Sequence, residues 1–228
     1  MKTRFILIAL LALASSNLYA QFGVQVGYVY MPSNGNLTLG NFNEFSGTTR
    51  NHGVSAGITY DFRIRGSIGM QTALLYTFAG GTHNELRQEN PPVIVGPVQR
   101  GTQTVTSRYQ FLELPVRVSY SLPVTHYFRF FFFGGPSFSY ALNGSSRSRI
   151  TGPQGQRVLP SYNNVYEEFS GHLSPFELRL GGGIGAFYRQ FQVKIGYDHG
   201  ILNQYSGSIR HRNSLRRNQF AVSFGYVF

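Results

Sequence analysis

The sequence predicts an all-β protein, an eight-stranded antiparallel up-and-down transmembrane β-barrel. Three observations carry that prediction. Eight stretches alternate apolar and non-apolar residues with a period of two, the links between them alternate long and short, and the second face of the strands combines glycine with charge.

The strands are justified in chain order. The first, 22–30, places Phe22, Val24, Val26, Tyr28 and Tyr30 on one face. The second, 54–62, carries Val54, Ala56, Ile58, Tyr60 and Phe62, and the third, 68–78, carries Ile68, Met70, Leu74, Tyr76 and Phe78. Leu112, Leu114, Val116, Val118 and Tyr120 define the fourth, 109–120. The fifth, 127–142, is apolar on both faces through its FRFFFFGG run, with Phe128, Phe130, Phe132, Phe138 and Tyr140 assigned to the apolar side. The sixth, 176–188, carries Phe176, Leu178, Leu180, Ile184 and Tyr188, and the seventh, 191–197, carries Phe191, Val193, Ile195 and Tyr197. The eighth is the terminal QFAVSFGYVF, with Phe220, Val222, Phe224, Tyr226 and Phe228 in alternation.

Links 31–53, 79–104, 143–175 and 203–218 read as long loops rich in Gly, Asn, Ser, Pro and Arg. Those near 63–66, 122–126 and 189–190 read as tight turns. A two-residue turn sets its flanking residues on one face, and Tyr188 and Phe191 both fall in the apolar sets. Long links on one side and short turns on the other match a membrane barrel.

The other face decides what lies inside. It holds Gly23, Gly27, Gly53, Gly57, Gly181, Gly183, Gly185, Gly196 and Gly225, interspersed with Glu113, Arg117, Arg129, Glu177, Arg179, Lys194 and Asp198. Glycine weakens a strand and needs a reason. The narrow lumen of eight strands supplies one, because long side chains must fit between facing walls. Turning the charged face to lipid would cost about 2–4 kcal/mol per Arg or Lys at the bilayer midplane. The seven charged residues are therefore expected to form a paired network that closes the lumen, the alternative being a selectivity ring or gated pore. Tyrosine and phenylalanine near the ends of the apolar faces match interfacial girdles, although tryptophan is absent.

Composition agrees. Among 228 residues Gly (27), Phe (20) and Tyr (15) are abundant, and charged residues make up 13%. Residues 1–20 read as a signal peptide. Lys2 and Arg4 precede an apolar stretch from Phe5 to Ala14 that is too short for a good transmembrane helix, and Ala20 precedes the expected cut. An uncleaved N-terminal anchor is the alternative, and the barrel domain spans 21–228. No cysteine is present, so disulfides, cysteine-ligated metals and a lipid-modified N-terminal cysteine are excluded. Cleavage removes Lys2 and Arg4 and takes the formal net charge from +11 to +9. Apart from Lys2 and Lys194 every basic residue is arginine, which suits bidentate pairing with carboxylates or phosphates.

Motifs for catalysis are weak. Gly181, Gly183 and Ala186 satisfy a dinucleotide-type spacing, but no helix follows. Asp198 and His199 are neighbours on a strand and face opposite ways. His52, His83, His126, His172, His199 and His211 lack metal-ligand spacing. No catalytic, cofactor-binding or metal-binding residue is assigned, and no cofactor is expected. A Ser/His pair assembled by folding, as in a lipid-modifying barrel, remains the enzymatic alternative. The RHRNSLRR stretch, with Arg210, Arg212, Arg216 and Arg217, reads as a basic loop for lipopolysaccharide phosphates or an acidic partner, the bland alternative being a solvated loop. Nucleic acid is not an expected partner.

YQFLELPVRVSY (109–120), FFFFGGPSFSYAL (130–142) and GGGIGAFYRQFQVKIGYDHG (181–200) resemble the outer-membrane β-barrel family widespread in Bacteroidota, often called PorT-like. The resemblance covers the mature chain and implies a bacterial outer-membrane location, with roles in some relatives in secretion and gliding machinery. It carries no catalytic residues over, and Glu113 and Pro115 are its family marks. It also implies that Phe220, Phe224, Tyr226 and Phe228 form a signal read by the outer-membrane insertion machinery. The expected function is a non-enzymatic structural or interaction role, docking to a larger envelope or secretion-type assembly. A small, mostly closed pore is the alternative, and a lipid-modifying enzyme the third reading.

Overall fold

A computed structural model describes residues 20–39, 42–89, 99–152, 155–158, 161–168, 173–205 and 214–228. Residues 1–19 of the expected signal peptide lie outside them, as do Arg210 and Arg212. The elements are β1 (Ala20–Leu39), β2 (Phe42–Arg65), β3 (Ile68–Glu89), β4 (Gln99–Pro123), β5 (Phe128–Gly152), β6 (Gly155–Val158), the one-turn helix α1 (Val165–Glu168), β7 (Phe176–Tyr188), β8 (Phe191–Gly200), β9 (Ser214–Arg217) and β10 (Gln219–Val227).

The sheet is antiparallel and runs β10-β8-β7-β5-β4-β3-β2-β1, and β1 pairs β10 to close the ring. Closure runs from Gly23↔Val227 to Tyr30↔Phe220. β9 continues this register, from Ser33↔Arg217 to Asn36↔Ser214, so β9 and β10 are one strand interrupted at Asn218. Its ladder partner there is Pro32, which has no N–H to give, and the Asn218 N–H still donates to the Pro32 carbonyl at 2.9 Å. The eight expected strands are thus the ring, and β6 is an addition that pairs only β5.

The expected long loops are in large part strand. β1 and β2 stay paired to Leu39↔Phe42, β3 and β4 to Glu89↔Gln99, and β4 and β5 to Thr102↔Thr151. Two neighbours already in register extend their ladder one residue at a time, and outside the membrane neither face needs to be apolar. The periodicity that marks a strand therefore ends at the membrane while the strand does not. At the other end the turns are tight. Arg189 takes φ 55° in the β7–β8 turn and Gly66 takes φ +56° in the β2–β3 turn, as two-residue hairpins of this hand require.

The apolar face points outward. Phe22, Val24, Val26, Ile58, Val118, Phe132 and Ile184 are all about half exposed, while Ser55, Thr59, Gln71, Ser119 and Ser223 are buried inside. Aromatic residues cluster at the tight-turn end of this outer face, with Phe22 and Tyr60 at 4.7 Å and Phe191 and Tyr226 at 5.3 Å between ring centroids. Among the described residues no helix is long and apolar enough to cross a membrane; strands form the wall.

The inward glycines are slots for rings as well as for charges. A Cβ on Gly185 would lie 2.2 Å from Cζ of Phe131, and one on Gly183 2.6 Å from Cζ of Phe133. Gly185→Val is therefore expected to prevent the compact barrel from forming, read as loss of the fast-migrating folded band on an unheated gel. Adding Phe131→Ala to the same chain should restore part of that band.

Candidate functional site: a layered plug in the lumen

The barrel interior is stacked in three layers. Nearest the tight turns, Phe131, Phe187 and Val227 form a buried cluster with Phe133 packed against it. Phe131 and Phe187 stand 5.0 Å apart, and the Arg129 guanidinium lies 4.0 Å over the Phe187 ring. These residues sit at the inward parity of β7, β10 and β5, the last of which carries the FRFFFFGG run.

The middle layer carries the charges. Arg117 from β4 reaches Asp198 on β8, its Nη2 donating to Oδ1 at 2.6 Å and to Oδ2 at 2.8 Å. Its Nη1 donates to the Gly135 carbonyl and, at 3.3 Å, to that of Gly181. The ladder between β4 and β5 lapses beside this point, between Pro115↔Ser137 and Val118↔Gly134. Pro136 there has no N–H, and Gly135 takes φ +152° with space for no Cβ, which would lie 2.3 Å from the Val116 carbonyl oxygen. The guanidinium serves backbone groups where the ladder is broken.

Arg179 is fully buried and pairs with Glu113 at 3.1 Å, donating also to Gln219 and Ser139. Gln219 Nε2 donates back to Glu113 at 3.2 Å, joining β4, β7 and β10. Toward the tight turns, Lys194 and the Arg117–Asp198 pair line a cavity of about 80 Å³ with Gln25 and Gln71. Below it Asp61, Arg129 and Ser119 line another of about 270 Å³. Gln192 donates weakly to Asp61 at 3.5 Å.

The third layer seals the hairpin end. Val29, Met31, Ala79, Phe111 and Ala141 from the wall meet Val165 and Tyr166 from α1. Asn164 caps α1 by accepting from the Tyr166 N–H at 3.3 Å. The segment before α1 is tied to β5 by a bridge at Ser146↔Tyr162, and the one after it to the β8–β9 link by Leu173↔Tyr205. Burial pushes the Tyr166 phenol above the ordinary tyrosine range, despite the opposing effect of Arg217, so it seals the mouth as a neutral group.

The structure places all seven expected lumen residues inward: Glu113, Arg117, Glu177 and Arg179 are buried, and Arg129, Lys194 and Asp198 are partly so. One expectation is corrected. Arg217 does not belong to an external basic loop; it is 4% exposed inside the barrel and pairs with Glu177. Its Nε donates to Ser33 at 3.3 Å, and its guanidinium lies 4.7 Å from the Tyr109 ring centroid and 4.8 Å from that of Phe111. The reason is strand continuity, since Arg217 shares the parity of Gln219, Ser223 and Gly225 and hence their inward face. That parity was the available signal. Arg216, at the opposite parity, is exposed.

Asp61, Gln192 and Gln219 join the network without having been singled out, and Tyr166 comes from a segment with no periodicity. On the lipid face Phe220, Phe224 and Phe228 are exposed and Tyr226 is half-buried. His199 faces outward, away from Asp198, and among the described residues no His, Asp and Glu group could hold a metal ion.

A closed antiparallel ring with an apolar exterior and a packed polar interior defines a transmembrane β-barrel. The chain belongs to the outer membrane protein beta-barrel domain family, which matches residues 13–205, and its place is the outer membrane. Comparison with curated proteins returned no match. Among solved structures the chain is similar to Ail, the attachment invasion locus protein of Yersinia pestis, at 12% identity and TM-score 0.36, over 92% of this chain and 99% of that one. It is also similar to Neisserial surface protein A, at 12% identity and TM-score 0.37 over 92% and 99%, and to the outer membrane protease OmpT of Escherichia coli, at 8% identity and TM-score 0.39 over 94% and 98%.

Removing one partner of a buried pair strands the other charge, at a cost of about 3–5 kcal/mol. Arg217→Met is expected to lower the unfolding free energy of the barrel in detergent by that order, seen as a lower urea midpoint. Adding Glu177→Gln should recover most of the loss, which unfolding titrations of both variants would check.

Proposed function

We propose that this barrel is a non-enzymatic anchor of the PorT-like kind found in Bacteroidota, working through its surface as one subunit of a larger envelope or secretion-type assembly. The observation that carries the reading is the plug. Apolar layers bracket a charge-paired middle, and eight strands leave room for side chains but not for a water column. What remains for interaction is the outer wall and the hairpins, which extend as paired strands beyond the apolar band and so form stiff projections rather than loose loops. Recognition by the insertion machinery through the terminal alternation belongs to the same reading.

One observation favours a second reading. The cavities of about 80 Å³ and 270 Å³ lie stacked from the middle layer toward the tight turns, so a small gated pore would need the hairpin-side seal and the Phe131–Phe187 layer to move.

The test is affinity capture of the tagged protein from native outer membrane in mild detergent, with mass spectrometry of what is retained, alongside conductance in a planar bilayer. A stoichiometric envelope partner and no steady current are expected. Recovery of the barrel alone would overturn the assembly reading. Current steps that change on Arg117→Gln would favour the pore.

A further inference from the structure

The outer wall of the barrel changes character toward the hairpin end. Along β4 the outward positions run Val118, Leu114 and Leu112, then Gln110, Arg108 and Thr106, with Arg108 exposed. Along β5 they pass from Phe138 and Tyr140 to Arg147, also exposed. Thr82, Thr106 and Arg147 stand in one line across β3, β4 and β5, and Gly80, Arg108 and Ser145 stand in the next. The Thr82 and Thr106 hydroxyls are 3.2 Å apart. Arg108 and Arg147 are therefore diagonal neighbours on adjacent strands, a spacing long side chains bridge. Neither forms an ion pair with a carboxylate among the described residues.

The same wall continues through Arg50, opposite Pro32 on β1, and Arg216, opposite Asn34. The outward faces of β7 and β8 end instead in Phe176 and His199, so among the described residues the outward arginines gather on the side running from β9 through β1 to β5. Its height is set by strand geometry. Four residues of a tilted strand separate Leu112, in the apolar band, from Arg108, roughly 10 Å along the membrane normal. That carries the guanidinium from hydrocarbon to headgroups. The headgroup of the outer leaflet is the phosphorylated sugar of lipopolysaccharide, and two guanidinia flanked by hydroxyls complement a phosphate.

We propose that Arg108 and Arg147, with the Thr106 hydroxyl next to both and that of Thr82 beside it, form a phosphate-binding site for the lipid A part of lipopolysaccharide on the β3–β5 wall. The site holds one orientation of the barrel against its lipid neighbours, since the matching outward ends of β7 and β8 carry no arginine among the described residues. It does not depend on the assembly reading.

The test uses the full-length protein, stripped of lipid in detergent, with diphosphoryl lipid A and its dephosphorylated form as probes and native mass spectrometry as readout. The native protein should bind the diphosphoryl form about tenfold more tightly, the effect expected of a charge-assisted phosphate contact. Arg108→Gln with Arg147→Gln should abolish that preference. Arg63→Gln with Arg65→Gln, which removes the same charge at the tight-turn rim, should keep it. Equal binding of both lipids by the native protein overturns the site before any variant is made, and is the result an acidic protein partner on this face would give. Equal loss in both double variants also overturns it, since it would mark unspecific attraction.

Discussion

Everything in this barrel depends on closing the backbone ladder. In hydrocarbon an unpaired N–H or C=O has no water to turn to, so a sheet that spans a membrane must have no edge. The β1–β10 pairing meets that demand, and its weakest point shows how strictly it is met. At Pro32 one donor is missing, yet the facing Asn218 N–H is used, and the Asn218 side chain accepts from the Gly200 N–H at 3.1 Å.

Closure at eight strands fixes the lumen as narrow, and the interior is the consequence. Large inward side chains crowd one another there, and several gain room from a glycine or serine opposite: Phe131 against Gly185, Phe133 against Gly183, Arg179 against Ser139. Several buried atoms, among them Glu113 Oε1, Glu177 Oε2 and Arg179 Nε, have no protein partner. The cavity of about 80 Å³ beside Glu113 has a mixed polar and apolar lining and is large enough for water. The middle layer is thus a knot of paired charge, closed at each end by rings.

How much of this was legible follows from what periodicity measures. A lipid face and a packed lumen impose a period of two, so strand identity, facing and the inward charges could be read directly. Beyond the membrane both faces meet water, and the alternation fades where the strands persist, which hid the long hairpins. Arg217 was lost at that boundary, because composition grouped it with Arg210 and Arg212 while its parity grouped it with Gln219. The inward phenylalanines were obscured by the doubly apolar FRFFFFGG run. Tyr166 had no signal, since a one-turn helix folded into a mouth is set by tertiary contact alone.

The placement of charge also explains why the plug is not simply apolar. A strand with hydrophobic residues on both faces has no reason to choose which one meets lipid, and a slip of one residue exchanges the two. β5 comes close to that ambiguity between Phe128 and Phe133. Its neighbours resolve it: β4 carries Glu113 and Arg117, β7 carries Glu177 and Arg179, and both are locked to β5 in register. Inverting either neighbour would set an arginine in lipid at about 2–4 kcal/mol near the midplane, besides breaking its ion pair. The buried pairs add little net stability over a well-packed apolar core. Their contribution is to make the inverted barrel costly, and the strand whose own sequence cannot choose a face takes its orientation from the two that can.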